Sequence, residues 1–106
     1  MSYIYLASPY TGDEENRYKA ALAYLAKKTK EGQILFSPIV HSHPMSVEHD
    51  MSGAFDFWEE IDYTFIDACD HVRVLCLPGW EKSKGVMKEL IYAQEIGKGV
   101  EYVDPT

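Results

Sequence analysis

Short apolar segments rich in β-branched and aromatic residues alternate along this chain with segments of helical period. The first apolar segment is Tyr3–Ala7, and similar ones follow at residues 34–37, 72–77 and 100–103. Strands that are joined through a helix run parallel, so this order predicts an α/β protein with an open, mainly parallel sheet. In such sheets ligands bind beyond the carboxyl ends of the strands, which here are the loops after Ala7, Ser37 and Leu77.

Capping residues mark where two of the helices begin. Thr11 and Glu14 have the spacing of a capping box, which predicts that the first helix starts at Thr11. Ser83 is predicted to cap the last helix, and the middle helix is predicted over residues 57–69. Between the second strand and the middle helix, residues 38–55 contain Pro44 and Gly53, and we predict an irregular loop of functional length there.

The acidic net charge limits the partners of the chain. Its 106 residues suit a single domain, and 17 acidic against 10 basic residues give a formal charge of −7. General binding to a nucleic-acid backbone or to an anionic lipid surface needs the opposite sign. A local phosphate pocket is still allowed, because backbone N–H groups and one or two cations are enough to build one.

Cysteine usage and hydropathy favour a soluble, cytoplasmic protein. Cys69 and Cys76 do not suggest a disulfide framework, and we expect both to be small buried apolar residues. No apolar run reaches the roughly 18 residues of a membrane span, and the N-terminal segment does not resemble a signal peptide.

Asp62 is the acidic residue of the middle helix that is predicted to fall well inside its apolar face. At about 100° per residue it lies some 40° from Trp58, within the arc that also holds Phe65. Burial of a carboxylate there raises its pKa unless a partner compensates, and a raised pKa suits a general acid. A buried aspartate that bonds a loop backbone is an equally good interpretation of the pattern.

Glu89 is a second candidate, on the last helix. It lies at the edge of the apolar face that contains Val86 and Ala93, whereas Lys88 is predicted to point elsewhere. The pattern alone favours a surface glutamate in an ion pair. Held beside Asp62, however, Glu89 would form a two-carboxylate site of the kind that acts on glycosidic bonds.

The segment of residues 79–85 follows the third predicted strand and opens the last helix. Its glycines, its hydroxyl and the free N–H groups of a helix start fit a phosphate or a hydroxyl group, and Lys82 and Lys84 could add positive charge. The segment is not a P-loop, because the GxxxxGK[ST] pattern is absent.

Three histidines, His41, His43 and His49, raise the alternative of a metal-binding module. The remaining ligands of such a site are not obvious, so we predict no metal and expect His41 to make ligand contacts instead. Four aromatic residues could supply surface for a base: Tyr5, Tyr10, Trp58 and Trp80.

The chain resembles the nucleoside 2-deoxyribosyltransferase-like superfamily, which includes the 2'-deoxynucleoside 5'-monophosphate N-glycosidases. The resemblance covers nearly the whole chain as one domain, residues 1–106, and is closest to a short branch of unknown function. It rests on residues 5–10 (YLASPY), Asn16, residues 36–39 (FSPI), Asp62 eight residues before Asp70, residues 72–77 (VRVLCL), and residues 83–89 (SKGVMKE) followed by Ala93.

The resemblance implies a Rossmann-like or flavodoxin-like three-layer sandwich and a role for each matching residue. Glu89 would attack the sugar C1', and Asp62 would protonate or position the leaving base. Tyr5 would lie near the sugar and the nucleophile. Ser83 would contact the 5'-phosphate, and Gly85 would be a substrate-binding residue of the same motif. Residues 8–10 (Ser8, Pro9 and Tyr10) would line the pocket.

These implications lead to one expected function and one alternative. The expected function is cleavage or transfer of the N-glycosidic bond of a nucleoside or nucleoside 5'-monophosphate, without a metal or organic cofactor. The alternative is a nucleotide-binding protein without catalysis. Because a neighbouring subunit completes the pocket in relatives, we also expect a homodimer or higher homo-oligomer, for which the Trp58/Phe65 stripe and Trp80 would offer a face. The loop after the first strand is acidic here and not glycine-rich and basic, so the phosphate state of the substrate is left open.

Overall fold

Four short strands pair in parallel within the part of the chain that the computed structural model describes, residues 2–51 and 54–105. They are β1 (Tyr3–Ala7), β2 (Ile34–Phe36), β3 (His71–Leu75) and β4 (Gly99–Val103), in the spatial order β2-β1-β3-β4. The chain moves from β1 to one edge of the sheet and then returns to the other side of β1. This reversal makes the space beyond β1 and β3 the switch point at which such sheets bind ligands.

Within the same described residues, four helices flank the sheet: α1 (Glu14–Lys30), α2 (Pro38–Glu48), α3 (Phe55–Ala68) and α4 (Lys84–Glu95). A single 3-10 turn at Trp80–Lys82 precedes α4. The open, all-parallel sheet confirms the predicted α/β fold class and its three-layer architecture.

Side chains of the two central strands alternate between the two faces of the sheet. Tyr5 and Ala7 of β1 join Val72 and Val74 of β3 in one cluster, against residues of α3 and α4. The opposite cluster contains Leu6 and Leu75 with Tyr24 of α1. Because both faces of the sheet are covered, β1 is almost wholly apolar, as parallel strands usually are, whereas β3 also carries Arg73, whose side chain pairs with Glu101.

The segment predicted as an irregular loop is largely the helix α2, so that prediction was wrong. Ser37 is the N-cap, and its hydroxyl accepts a hydrogen bond from the Val40 N–H at 3.1 Å, while Pro38 takes the first helical position, where proline is favoured. Pro44 lies inside the helix and concealed it in the sequence. Gly53, which the loop prediction included, lies outside the described residues.

Of the two predicted helix starts, one was wrong and one is confirmed. The first helix begins at Glu14 and not at Thr11, because Gly12 turns the chain at φ +105° and the Glu14 carboxylate accepts from the Gly12 N–H at 2.9 Å. Ser83 caps α4 as predicted, since its hydroxyl accepts from the Val86 N–H at 3.2 Å. Both cysteines are free. Cys69 is buried as expected, whereas Cys76 is only half-buried, so that part of the prediction was wrong.

No helix in the described ranges is long and apolar enough to cross a membrane.

Candidate active site

A pocket of about 610 Å³ opens at the carboxyl ends of β1 and β3. This volume falls in the usual range of small-molecule sites. Its walls come from four places: the loop after β1, helix α2, the start of α3 and the start of α4. The lining residues used below are Ser8, Tyr10, His43, Phe55, Trp58, Asp62, Lys82, Ser83, Lys84, Gly85, Lys88 and Glu89.

Glu89 lies on the inner face of α4 and is only 3% exposed. The hydroxyl of Tyr5, from the fully buried interior of β1, donates a hydrogen bond to Glu89 Oε2. The interpretation of Glu89 as a surface glutamate in an ion pair, which the helical pattern favoured, is therefore wrong. The pattern could not show the burial of Glu89, because the partner that holds it lies 84 residues away in the chain.

Asp62 lies on α3 and is 5% exposed, as its position in the apolar arc predicts. Its Oδ1 has no hydrogen-bond partner among residues 2–51 and 54–105, so the alternative of a buried aspartate bonded to a loop backbone finds no support at this atom. Burial raises the pKa of the Asp62 carboxyl from 3.8 to about 7.

The electrostatics of Glu89 and Tyr5 follow from the same dry surroundings. Burial, and then the charge of Asp62, raise the pKa of Glu89 well above its usual range, whereas the hydrogen bond from Tyr5 lowers it. Burial, followed by the charges of Glu89 and Asp62, raises the pKa of the Tyr5 hydroxyl, which therefore stays a donor. The two carboxyls form a coupled pair, in which ionisation of one opposes ionisation of the other.

The start of α4 forms a second, positively charged wall. Its first N–H groups have no partner within the helix, and Lys82, Lys84 and Lys88 line the pocket beside them. Gly85 lies against the ring of Phe55, since a Cβ built at this glycine would be 3.2 Å from a ring carbon. Lys88 had been predicted to point elsewhere, but it lines the pocket and pairs with Asp56 at 3.0 Å.

Ser8 follows β1 directly and is buried against the pocket. Its hydroxyl oxygen, like Oδ1 of Asp62, finds no hydrogen-bond partner in the described part of the chain. Buried polar atoms are nearly always paired in folded proteins. Both residues line the same pocket, so these two unpaired atoms make it the candidate site for a polar group.

A third wall carries Tyr10, which was predicted to line the pocket, and His43, whose part in this wall the sequence did not indicate. The Tyr10 hydroxyl lies 2.7 Å from His43 Nδ1, and His43 Nε2 lies 3.0 Å from Glu15 Oε2. The Ser37-Pro38 signal for the start of α2 could have placed His43 on a helix facing this loop.

The other predicted site residues lie near the pocket or away from it. Tyr5 lies behind Glu89 and Pro9 is buried; neither lines the cavity. His41 does not line the cavity. Its Nδ1 lies 3.2 Å from the hydroxyl of Ser42, which does. Trp80 also lies outside the lining, where it packs against Tyr102 with the ring centres 5.4 Å apart.

The structure also bears on two further predictions, the face for a dimer and the alternative of a metal site. Trp58 is 6% exposed and offers little surface to a partner, whereas Phe65 is half-buried and stacks on Phe36 with ring centres 3.9 Å apart. Within the described ranges, no three histidine, cysteine, aspartate or glutamate side chains converge as metal ligands would.

Comparison with known proteins gives a family but no function. The DUF1937 family, defined as a domain of unknown function, matches residues 2–104. No curated protein matches the sequence. Since the match spans almost the whole sequence, the chain belongs to the DUF1937 family.

Proposed function

We propose that this protein cleaves or transfers the N-glycosidic bond of a nucleoside or nucleoside 5'-monophosphate through a glycosyl-enzyme on Glu89. The observation that carries the proposal is the buried carboxyl pair, Glu89 and Asp62, which faces one pocket with Tyr5 bonded to Glu89. Paired carboxyls of different environments are the usual means of acting on glycosidic bonds. The resemblance of residues 83–89 and Asp62 to the deoxyribosyltransferase-like enzymes supports the same chemistry.

The first step requires Glu89 to be ionised and Asp62 to be protonated. A carboxylate oxygen of Glu89 bonds to the sugar C1' as the C1'–N bond breaks, and its electron pair passes to the base nitrogen. The departing base takes the proton of Asp62. Only Glu89 receives a hydrogen bond from Tyr5, which favours the negative charge there, whereas the unpartnered oxygen of Asp62 favours retention of its proton.

The second step restores both carboxyls. Water attacks C1' from the opposite face, the bond from C1' to Glu89 breaks, and Asp62 accepts the proton of that water. Two inversions give net retention at C1'. If a second base occupies the pocket in place of water, the same step transfers the sugar to it.

The positive wall supports a 5'-monophosphate as the substrate. A phosphate fits the N-terminus of a helix of this length, where backbone N–H groups and Lys82 and Lys84 converge on the cavity. The acidic loop after β1 lies at another wall of the cavity and does not form this subsite.

The test is base release, measured by chromatography after incubation with ribo- and deoxyribonucleosides and their 5'-monophosphates. We expect release by the wild type and by Glu95→Gln, which changes an exposed carboxyl on the same helix. Glu89→Gln should lose about 1,000-fold or more in rate, because the nucleophile is removed. Equal release by Glu89→Gln would contradict the proposal. Light scattering on the same sample tests the expected homo-oligomer.

One observation favours the alternative, a nucleotide-binding protein without catalysis. Burial, and then the charge of Asp62, raise the pKa of Glu89 well above its usual range, which opposes the ionisation that attack on carbon requires. A protonated carboxyl donates a hydrogen bond to a ligand but does not attack carbon. This alternative predicts a rise in melting temperature with a nucleotide and no released base.

A further inference from the structure

A chain of three polar side chains leads from the surface to the wall of the pocket formed by Tyr10. Glu15 is 61% exposed, whereas His43 is 6% exposed and lies between Glu15 and Tyr10. The imidazole also stacks on Tyr18, with ring centres 4.2 Å apart. Packing on one face and hydrogen bonds at both nitrogens therefore fix the orientation of this ring.

The hydrogen bonds of this chain have a forced direction. A carboxylate can only accept, so His43 Nε2 must carry the hydrogen that points to Glu15. In the neutral imidazole the other nitrogen, Nδ1, is then bare and can only accept. Tyr10 must donate its single hydroxyl hydrogen to Nδ1. Its oxygen is left with lone pairs for the pocket and no hydrogen.

The negative charge near Tyr10 also favours a hydrogen-bond donor at this wall of the pocket. Burial raises the pKa of the Tyr10 hydroxyl, and the negative charges of Glu14 and Glu15 in the first turn of α1 raise it further, so their field reaches this oxygen. The lysines of the same pocket lie at the start of α4 instead. The Tyr10 wall therefore disfavours an anionic or lone-pair-rich group and favours a donor.

We infer that the Tyr10 oxygen selects ligands that carry a hydrogen-bond donor. Among nucleobases, the pocket should therefore prefer adenine and cytosine over hypoxanthine and uracil. Adenine and cytosine carry an exocyclic amino group where hypoxanthine and uracil carry an oxo group. An oxo group at Tyr10 would place two acceptors together and leave both unpaired in a desolvated site. The inference rests on the proposed function only for the nucleotide class of the ligand.

The experiment compares matched nucleotides by calorimetric titration at about pH 8.5. The probes are dAMP against dIMP and dCMP against dUMP, with Glu89→Gln as the host chain so that no nucleotide is consumed, and with the wild type in parallel. We expect the amino member of each pair to bind about 10-fold tighter or more. Tyr10→Phe should reduce this preference to within about 2-fold, because the accepting oxygen is gone.

Glu15→Lys tests the direction of the hydrogen bonds from Glu15 through His43 to Tyr10, and Glu14→Lys is its control. A lysine at position 15 donates to His43 Nε2, so Nδ1 carries the hydrogen, donates to Tyr10, and turns the Tyr10 hydroxyl hydrogen to the pocket. The preference should then shift towards the oxo members. Glu14→Lys makes the same charge change at a residue that bonds the Gly12 N–H and not His43, and it should keep the amino preference.

Three results would overturn the inference: oxo members that bind the unmodified site as tightly as their amino partners, an equal shift in Glu14→Lys and Glu15→Lys, or no binding of any of the four nucleotides. Absence of base release in the wild type would contradict the proposed function alone. The binding ratios are measured without turnover and remain decisive for Tyr10.

Discussion

Replacement of the buried carboxyl on α3, Asp62→Asn, should stabilise this protein at alkaline pH. The wild-type carboxyl is 5% exposed, its Oδ1 has no hydrogen-bond partner in the described ranges, and its pKa rises on folding from 3.8 to about 7. A rise of roughly 3 units at about 1.36 kcal/mol each corresponds to about 4 kcal/mol. This is the free energy that ionisation of Asp62 removes from the folded state.

The sign follows from proton binding in the two states. An acid whose pKa is raised on folding holds its proton more tightly in the folded state than in the unfolded one. The contribution of Asp62 to stability is therefore complete below the unfolded value of 3.8 and is lost as the pH rises to about 7. Asparagine does not ionise, so the variant keeps its stability over this range.

The assay is urea denaturation of both proteins at about pH 5 and about pH 8. We expect the variant to gain up to about 4 kcal/mol relative to the wild type at the higher pH, or about 1 M or more in the urea midpoint. Glu60→Gln, an exposed carboxyl on the same helix, is the matched control and should show no such gain. A difference between Asp62→Asn and the wild type that stays constant with pH would refute the burial argument.

Two further substitutions test the packing around the site. Tyr5→Phe should destabilise the protein by about 1–3 kcal/mol, because the ring still fills its space while Glu89 loses its donor; a denaturation curve that matches the wild type would contradict this role. Gly79→Ala should cost about 1–3 kcal/mol, because φ is +88° and the new Cβ would lie 2.9 Å from the Arg17 guanidinium. Gly32→Ala has a similar φ of +87° and open space, so a loss as large as that at Gly79 would show that the contact with Arg17 contributes nothing.

The fold was predictable because its signals are local in the sequence. Apolar runs of four to six residues, separated by helical periods, predict parallel strands regardless of what each strand packs against. The burial of Asp62 was equally predictable, since its apolar neighbours lie on its own helix.

The features of the site that the sequence did not predict depend on contacts between distant segments. Glu89 lies at the edge of its helical face, and only the Tyr5 hydroxyl of β1, far away in sequence, shows that it is buried. His43 could not be assigned to a wall while α2 was interpreted as a loop, because the proline inside that helix outweighed the cap at Ser37. A periodic pattern reports the helix that carries a residue, but not the element that covers it.

The two tryptophans of the chain occupy different surroundings, which gives the pocket a built-in optical reporter. Trp58 lines the pocket, whereas Trp80 packs against Tyr102 outside the lining. A ligand that enters the cavity changes the surroundings of the Trp58 side chain and leaves those of Trp80 unchanged. Intrinsic fluorescence can therefore follow occupancy of the site without a label, with Trp58→Phe as the silent protein and Trp80→Phe as the one with the cleaner signal.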